Sequence, residues 1–170
     1  SKIVVPIAKD ETGGTLFDKL AEAGAKLLVE TLPHIFDGTA VYEKQPEESP
    51  TPYAGMITKQ MGLINFGKSA EELERLVRGL NPWPSAFTFW NGKTLKVWES
   101  FVVKSEEAGA EKPEPGTVVK TDKKGIYVAC GEDVLVLSQV QLEGKKRMDA
   151  DAFLRGCHIE TGSRFTDKKE

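Results

Sequence analysis

The sequence predicts a mostly-β fold: a small β-barrel with short helices, preceded by a linker and by the closing strand and helix of an α/β domain. Three observations carry that reading. Short β-branched and aromatic runs, split by Gly-containing turns, crowd residues 87–137. Residues 37–55 hold Pro46, Pro50, Pro52 and four acids with few aliphatics, which marks a stiffened linker. Residues 2–36 read as an apolar strand and then a long amphipathic helix, the last step of an α/β unit.

Residues 2–7 are β-branched and apolar with poor alternation, as in a strand buried on both faces of a parallel sheet. A domain rarely starts on such a strand, so further chain upstream is expected. Asp10-Glu11-Thr12-Gly13-Gly14 supplies a turn with N-cap and acidic groups. From Gly14 to Phe36, Leu16, Leu20, Ala23, Leu27, Leu28 and Ile35 recur at helical spacing. Pro33 should kink the last turn or end it early. Ser69 and Glu72 form a capping box before the stripe Leu73, Leu76, Val77 and Leu80, and Asn81-Pro82-Trp83-Pro84 stops that helix.

Beyond it the period changes to that of strands. Residues 87–90 and 94–98 flank Asn91-Gly92, a strong hairpin signal. A loop rich in Glu, Pro and Gly at 105–116 precedes strand-like runs at 117–120, 126–130 and 134–137, and a short helix follows at about 149–155. Five or six short, closely spaced strands suggest an OB-like barrel, and such barrels commonly hold nucleic acid. The expected division is 1–37 for the terminal strand and helix, 38–60 for the linker, 61–160 for the barrel and 161–170 for a loose tail.

A hydrophobic fraction of 39% and a charged fraction of 29% fit a globular protein. No apolar run approaches the roughly 18 residues of a membrane span. Net charge is −3, and residues 1–59 carry all of the excess, with six Lys/Arg against nine Asp/Glu. Residues 60–170 balance at 17 against 17, so a basic surface requires local clustering. Cys130 and Cys157 are too few for a disulfide framework and lack zinc-site spacing.

Neither His34 nor His158 has a neighbour that suggests an acid–base or nucleophilic set. Gly13-Gly14 lacks the spacing of a phosphate-binding loop, and Glu71, Glu72 and Glu74 read as a solvated helix face. The segment that looks like a binding element is Gly144-Lys145-Lys146-Arg147-Met148. Three adjacent cations repel one another, and facing them to phosphates relieves the cost by counterion release. A solvated turn is the other reading. Lys120, Lys123, Lys124, Arg155 and Arg164 join the patch if the barrel brings them to one side. Trp83, Trp90 and Trp98 offer stacking faces, or else core.

Several segments taken together resemble a known family. They are Glu11 to Ala25, Tyr53-Ala54, Ile64-Asn65-Phe66, Val77 to Pro84, Lys96-Val97-Trp98 and Gly144 to Gly156. In this order they are similar to the second half of methionyl-tRNA formyltransferases, over about residues 3–157. The resemblance implies an enzyme that moves a formyl group from 10-formyltetrahydrofolate to the amino group of methionyl initiator tRNA. It implies a Rossmann-like catalytic domain, of which residues 1–37 are the end, a linker, and an OB-like carboxy-terminal domain with a basic face toward tRNA. The family's catalytic Asn, His and Asp have no counterpart here, so this part is expected to be inactive alone and to hold no cofactor.

Lys145 and Lys146 match the family's Gly-Lys-Lys loop and are implied phosphate contacts. Arg147 adds a third charge that the family pattern does not demand, and Arg78 takes a mainly positional role with tRNA contact as its lesser one. Lys120, Lys124 and Arg155 join the expected tRNA face by clustering, not by the family pattern. Phe66 stands where the family usually has Trp. The implied partners are initiator tRNA and the catalytic domain, with a second copy docking on the exposed helix. The implied location is the bacterial cytoplasm, or the mitochondrial matrix for a eukaryotic source, without membrane attachment. A sugar-nucleotide formyltransferase, a structural barrel without a substrate role and an autonomous RNA-binding module remain as rival readings.

Overall fold

A computed structural model describes residues 1–49, 51–109 and 113–168. Helix α1 spans Gly13–Phe36, a 3₁₀ turn Lys59–Gly62, and α2 Ala70–Gly79. Strands β1 (Ala86–Trp90), β2 (Lys93–Val103), β3 (Val118–Asp122), β4 (Gly125–Ala129), β5 (Val134–Leu142) and β6 (Met148–Asp149) follow, and α3 (Ala150–Gly156) comes after them. None of the described helices is long and apolar enough to cross a membrane.

The strands form one antiparallel sheet in the order β1-β2-β5-β4-β3, with β6 added to β5. The expected OB-like barrel is therefore corrected to an open sheet, because edge strands β1 and β3 do not pair with each other. The chain end spans part of that gap. Phe89 and Thr166 exchange backbone bonds of 3.0 Å, Phe165 N–H donates to Gly116 and Val118 N–H donates to Ser163. Residues 162–166, where the sequence signals only a loose tail, thus brace both edges, and Phe165 is buried.

Leu95, Val97, Leu135, Leu137, Val140 and Leu142 face one core with Leu73 and Val77 of α2 and Phe153 of α3. The inward residues change parity along both central strands. The β2–β5 register slips between Val97/Glu99 and between Glu99/Ser100, inserting one residue in each strand. These paired bulges keep Val140 and Leu142 inward although Leu135 and Leu137 have the opposite parity. A smaller cluster of Tyr127, Val134 and Val136 lies on the other face, under Val103, Ala108 and Val119. Asn91 and Gly92 turn the first hairpin with φ of 48° and 68°, the pair of positive values that a type I′ turn requires.

The amino-terminal third departs from expectation. Residues 2–7 are not a strand: no described strand pairs with them, and Ile3, Val4 and Ile7 are exposed. The structure thus shows α1 without the expected Rossmann-like strand before it, since an extended segment becomes a strand only by pairing. Pro33 does not end α1, which runs three residues further and is capped by Asp37 N–H on the Pro33 carbonyl. One missing donor close to the helix end removes a single bond there. No residue of α1 is buried.

Candidate functional site

Strand β5 ends at buried Leu142, and the chain reverses at Gly144, whose φ of 79° suits glycine. Lys145 N–H bonds the Leu142 carbonyl at 2.9 Å and Gln141 Nε2 donates to the Lys145 carbonyl at 3.0 Å. Glu143 N–H bonds Thr94 across to β2 at 2.8 Å, and Met148 then pairs with Val140. These bonds make residues 143–147 a pinned hairpin. Lys145 and Lys146 are exposed on it, and among the described residues neither is held in an ion pair.

Arg147 behaves differently. Its guanidinium lies 4.7 Å from the Trp98 ring centroid, bonds Glu99 Oε1 at 3.1 Å and donates to Gln139. Lys96 Nζ is 5.8 Å from the same ring, and the indole N–H donates to Gln141 at 3.1 Å. Lys96 and Trp98 alternate with buried Leu95 and Val97, so both stand on the face away from the main core. Lys96 is not among the cations expected for the patch, and of the two expectations for Trp98, a stacking face or core, the structure has it outside the main core. The period-two pattern of residues 95–98 is the signal that places them outside.

The other expected cations divide. Lys120 pairs with Asp122 at 2.8 Å and sits 4.8 Å from the Tyr127 ring centroid. Asp122 also accepts from the Tyr127 hydroxyl at 3.1 Å, and the group titrates below the ordinary range despite its partial burial, because Lys120, the Lys124 N–H and Tyr127 stabilise the charge. Lys123 and Lys124 are exposed on the β3–β4 turn. Tyr127 pairs with Lys120 and with Val136, so this group shares the outer face of the sheet. Val136 lies six residues before Leu142, which puts the two clusters roughly 20 Å apart along β5. Arg155 pairs with Asp151 on α3 and Arg164 with Glu114 at 2.7 Å. Arg78 is half-buried, with Nε on Glu74 at 2.6 Å and Nη1 on the Glu11 carbonyl at 2.8 Å.

The outer face of the sheet thus carries Lys96 and Arg147 beside Trp98 at one end and the Lys120, Asp122 and Tyr127 group at the other, with Phe101 and the buried Val136 paired between them. His34 Nδ1 is 3.0 Å from Thr39 Oγ1, and His158 Nε2 is 3.5 Å from Glu160. Cys130 is buried, and desolvation pushes its thiol up to about 12. Among the described residues no group of three His, Cys, Asp or Glu side chains could hold a metal ion.

Residues 56–158 match the family model described as "Formyl transferase, C-terminal domain". Proteins named methionyl-tRNA formyltransferase are similar to nearly the whole chain. The one from Agathobacter rectalis is 53% identical over 98% of this chain and 52% of its own length. The one from Bacillus subtilis is 47% identical over 95% of this chain and 50% of its own. The chain spans about half the length of these curated relatives. A crystal structure of HypX from Aquifex aeolicus shares the fold with a TM-score of 0.59 at 11% identity, covering 86% of this chain and 26% of that one. Another HypX structure, in complex with tetrahydrofolic acid, aligns with a TM-score of 0.53 at 13% identity over 76% of this chain and 22% of that one.

Proposed function

This chain belongs to the family of formyl transferase C-terminal domains, and from that premise we propose that it is the tRNA-docking part of a methionyl-tRNA formyltransferase. The observation that carries the proposal is the pinned hairpin that presents Lys145 and Lys146 to solvent without ion-pair partners among the described residues. A cation already satisfied by a carboxylate gains little from a phosphate, whereas an unpaired one gains attraction and counterion release. Lys145 and Lys146 are thus the first phosphate contacts. Lys124 is a more distant contact on the same face, and Arg147 holds the loop on Trp98. Lys120 and Arg155 must exchange Asp122 and Asp151 for phosphate, so their contribution is smaller. Arg78 is a positioning residue.

In this reading the whole enzyme transfers a formyl group from 10-formyltetrahydrofolate to the amino group of methionine on initiator tRNA. No residue of this chain is assigned to that co-substrate or to the transfer step, which belong to the half of the relatives' length not spanned here. The sheet's outer face contributes binding and orientation, which lower the entropic cost of bringing the methionyl end to the reacting centre. The exposed apolar face of α1 is the surface that meets that other half and, in the isolated chain, a second copy. The enzyme is placed in the bacterial cytoplasm.

Titrating initiator tRNA with the chain at several salt concentrations tests the docking role. Lys145→Ala with Lys146→Ala should weaken binding for any tRNA and make the slope of log affinity against log salt shallower by roughly 0.7–0.9 per lost contact. An unchanged affinity and slope in the double variant would leave a structural sheet without a substrate role. A tRNA of unrelated acceptor stem should bind as well as the initiator.

A further inference from the structure

We propose that Glu11, Gly13 and Gly14 at the start of α1, with Arg78 and Asn81 at the end of α2, form a rigid joint that fixes the sheet domain against α1. The contacts are close and mutually consistent. Gly14 N–H, one of the orphan donors of a helix start, bonds the Asn81 carbonyl at 2.9 Å. Arg78 Nη1 bonds the Glu11 carbonyl at 2.8 Å, while Glu74 at 2.6 Å keeps that guanidinium in place. The positive end of one helix thus meets carbonyls at the negative end of another.

Two glycines permit the approach. A Cβ on Gly13 would overlap the Gly79 carbonyl oxygen, and one on Gly14 would come within 2.7 Å of Pro82 Cδ. Glu11 is the one buried charged residue among those described. Lys19 Nζ at 2.5 Å and the Thr15 hydroxyl hold its carboxylate, which fixes the turn that presents its carbonyl to Arg78. From the joint the path continues into the cationic face, since Asn81 Nδ2 donates to the Trp98 carbonyl at 3.0 Å and the Trp98 indole underlies Arg147. Gly13-Gly14, without role as a phosphate loop, is explained by this packing. Its consequence for function rests on the reading above: α1 carries the surface for the other half of the enzyme, so the joint sets where Lys145 and Lys146 stand relative to it.

The joint is tested without tRNA, so its failure is separate from failure of the docking proposal. Nitroxide labels at Ala25→Cys on α1 and Lys93→Cys on β2, in a Cys157→Ser chain diluted with unlabelled chain so that only distances within one molecule are read, report the distance between helix and sheet. The unsubstituted joint should give one narrow distance distribution. Gly13→Gln should at least double its width, although Gln is the better helix former. Gly24→Gln is the control, because a Cβ there meets nothing within 4 Å, and it should leave the width unchanged. Glu11→Ala should broaden the distribution by a smaller factor. A broad distribution before any substitution, the same narrow one in Gly13→Gln, or equal broadening in Gly24→Gln would overturn the joint. Gly13 lies outside the sheet, so an unchanged melting profile of the sheet shows that the domain stays folded.

Discussion

Helix α1 and strand β5 are both rich in apolar residues, yet their surroundings are opposite. Val134, Leu135, Val136, Leu137, Val140 and Leu142 of β5 are all buried. On α1, Phe17, Leu20, Leu28, Val29, Ile35 and Phe36 are all exposed, between 44% and 84%. Hydrophobic stabilisation follows area removed from water and not composition, so β5 contributes to the fold and α1 contributes an unsatisfied surface. The difference separates a region that buries its own apolar surface from one that leaves it in water.

The sharpest way to break this comparison is one truncation in each region. Leu135→Ala leaves a cavity in the main core and should cost about 2–5 kcal/mol in urea unfolding. Leu28→Ala, from a half-exposed site on α1, should cost less than about 0.5 kcal/mol at concentrations low enough to keep the chain monomeric. Equal costs would mean that α1 is covered in solution. The surface reading is sharpened by sedimentation: the isolated chain should self-associate, and Leu28→Glu should return it to a monomer, since a carboxylate cannot be buried unpaired in an apolar contact. A monomer at all concentrations removes the second copy as a partner of α1.

The smallest effect concerns pH at the joint. The Lys19 hydrogen bond foremost, with the Thr15 hydroxyl, holds the Glu11 carboxyl below its ordinary 4.5. Arg78 faces the Glu11 carbonyl and is itself paired with Glu74. A carboxyl depressed in the folded state adds stability above its unfolded value, and that stability is lost as pH falls through the lower folded value. The label distance should therefore stay narrow from pH 7 to about 5 and widen only below about 4.5. Half of the Lys19 side chain is in water, so the change should be modest. Widening at neutral pH would assign the hold to some other group.

Much of this was legible from residue order. The capping box at Ser69 and Glu72, the hairpin turn at Asn91-Gly92 and the period-two run to Val97 depend on neighbours one to four residues apart, which sequence displays directly. The Gly-Lys-Lys hairpin was legible for the same reason. Which cations share a face was not, because that depends on strand order and on the bulges at Trp98 and Ser138.

The sequence by itself determined the helices, the strands from residue 86 onward, their turns, the family resemblance and the loop that carries Lys145 and Lys146. Tertiary structure decided that the sheet stays open with its edges braced by residues 162–166, and that residues 2–7 are not a strand. It also decided that Arg147 stacks on Trp98 and that Gly13 and Gly14 lie against α2. The physical reason is range. Propensity, capping and turn chemistry act within a few residues, whereas strand pairing, close backbone approach and charge clustering join segments far apart in the chain.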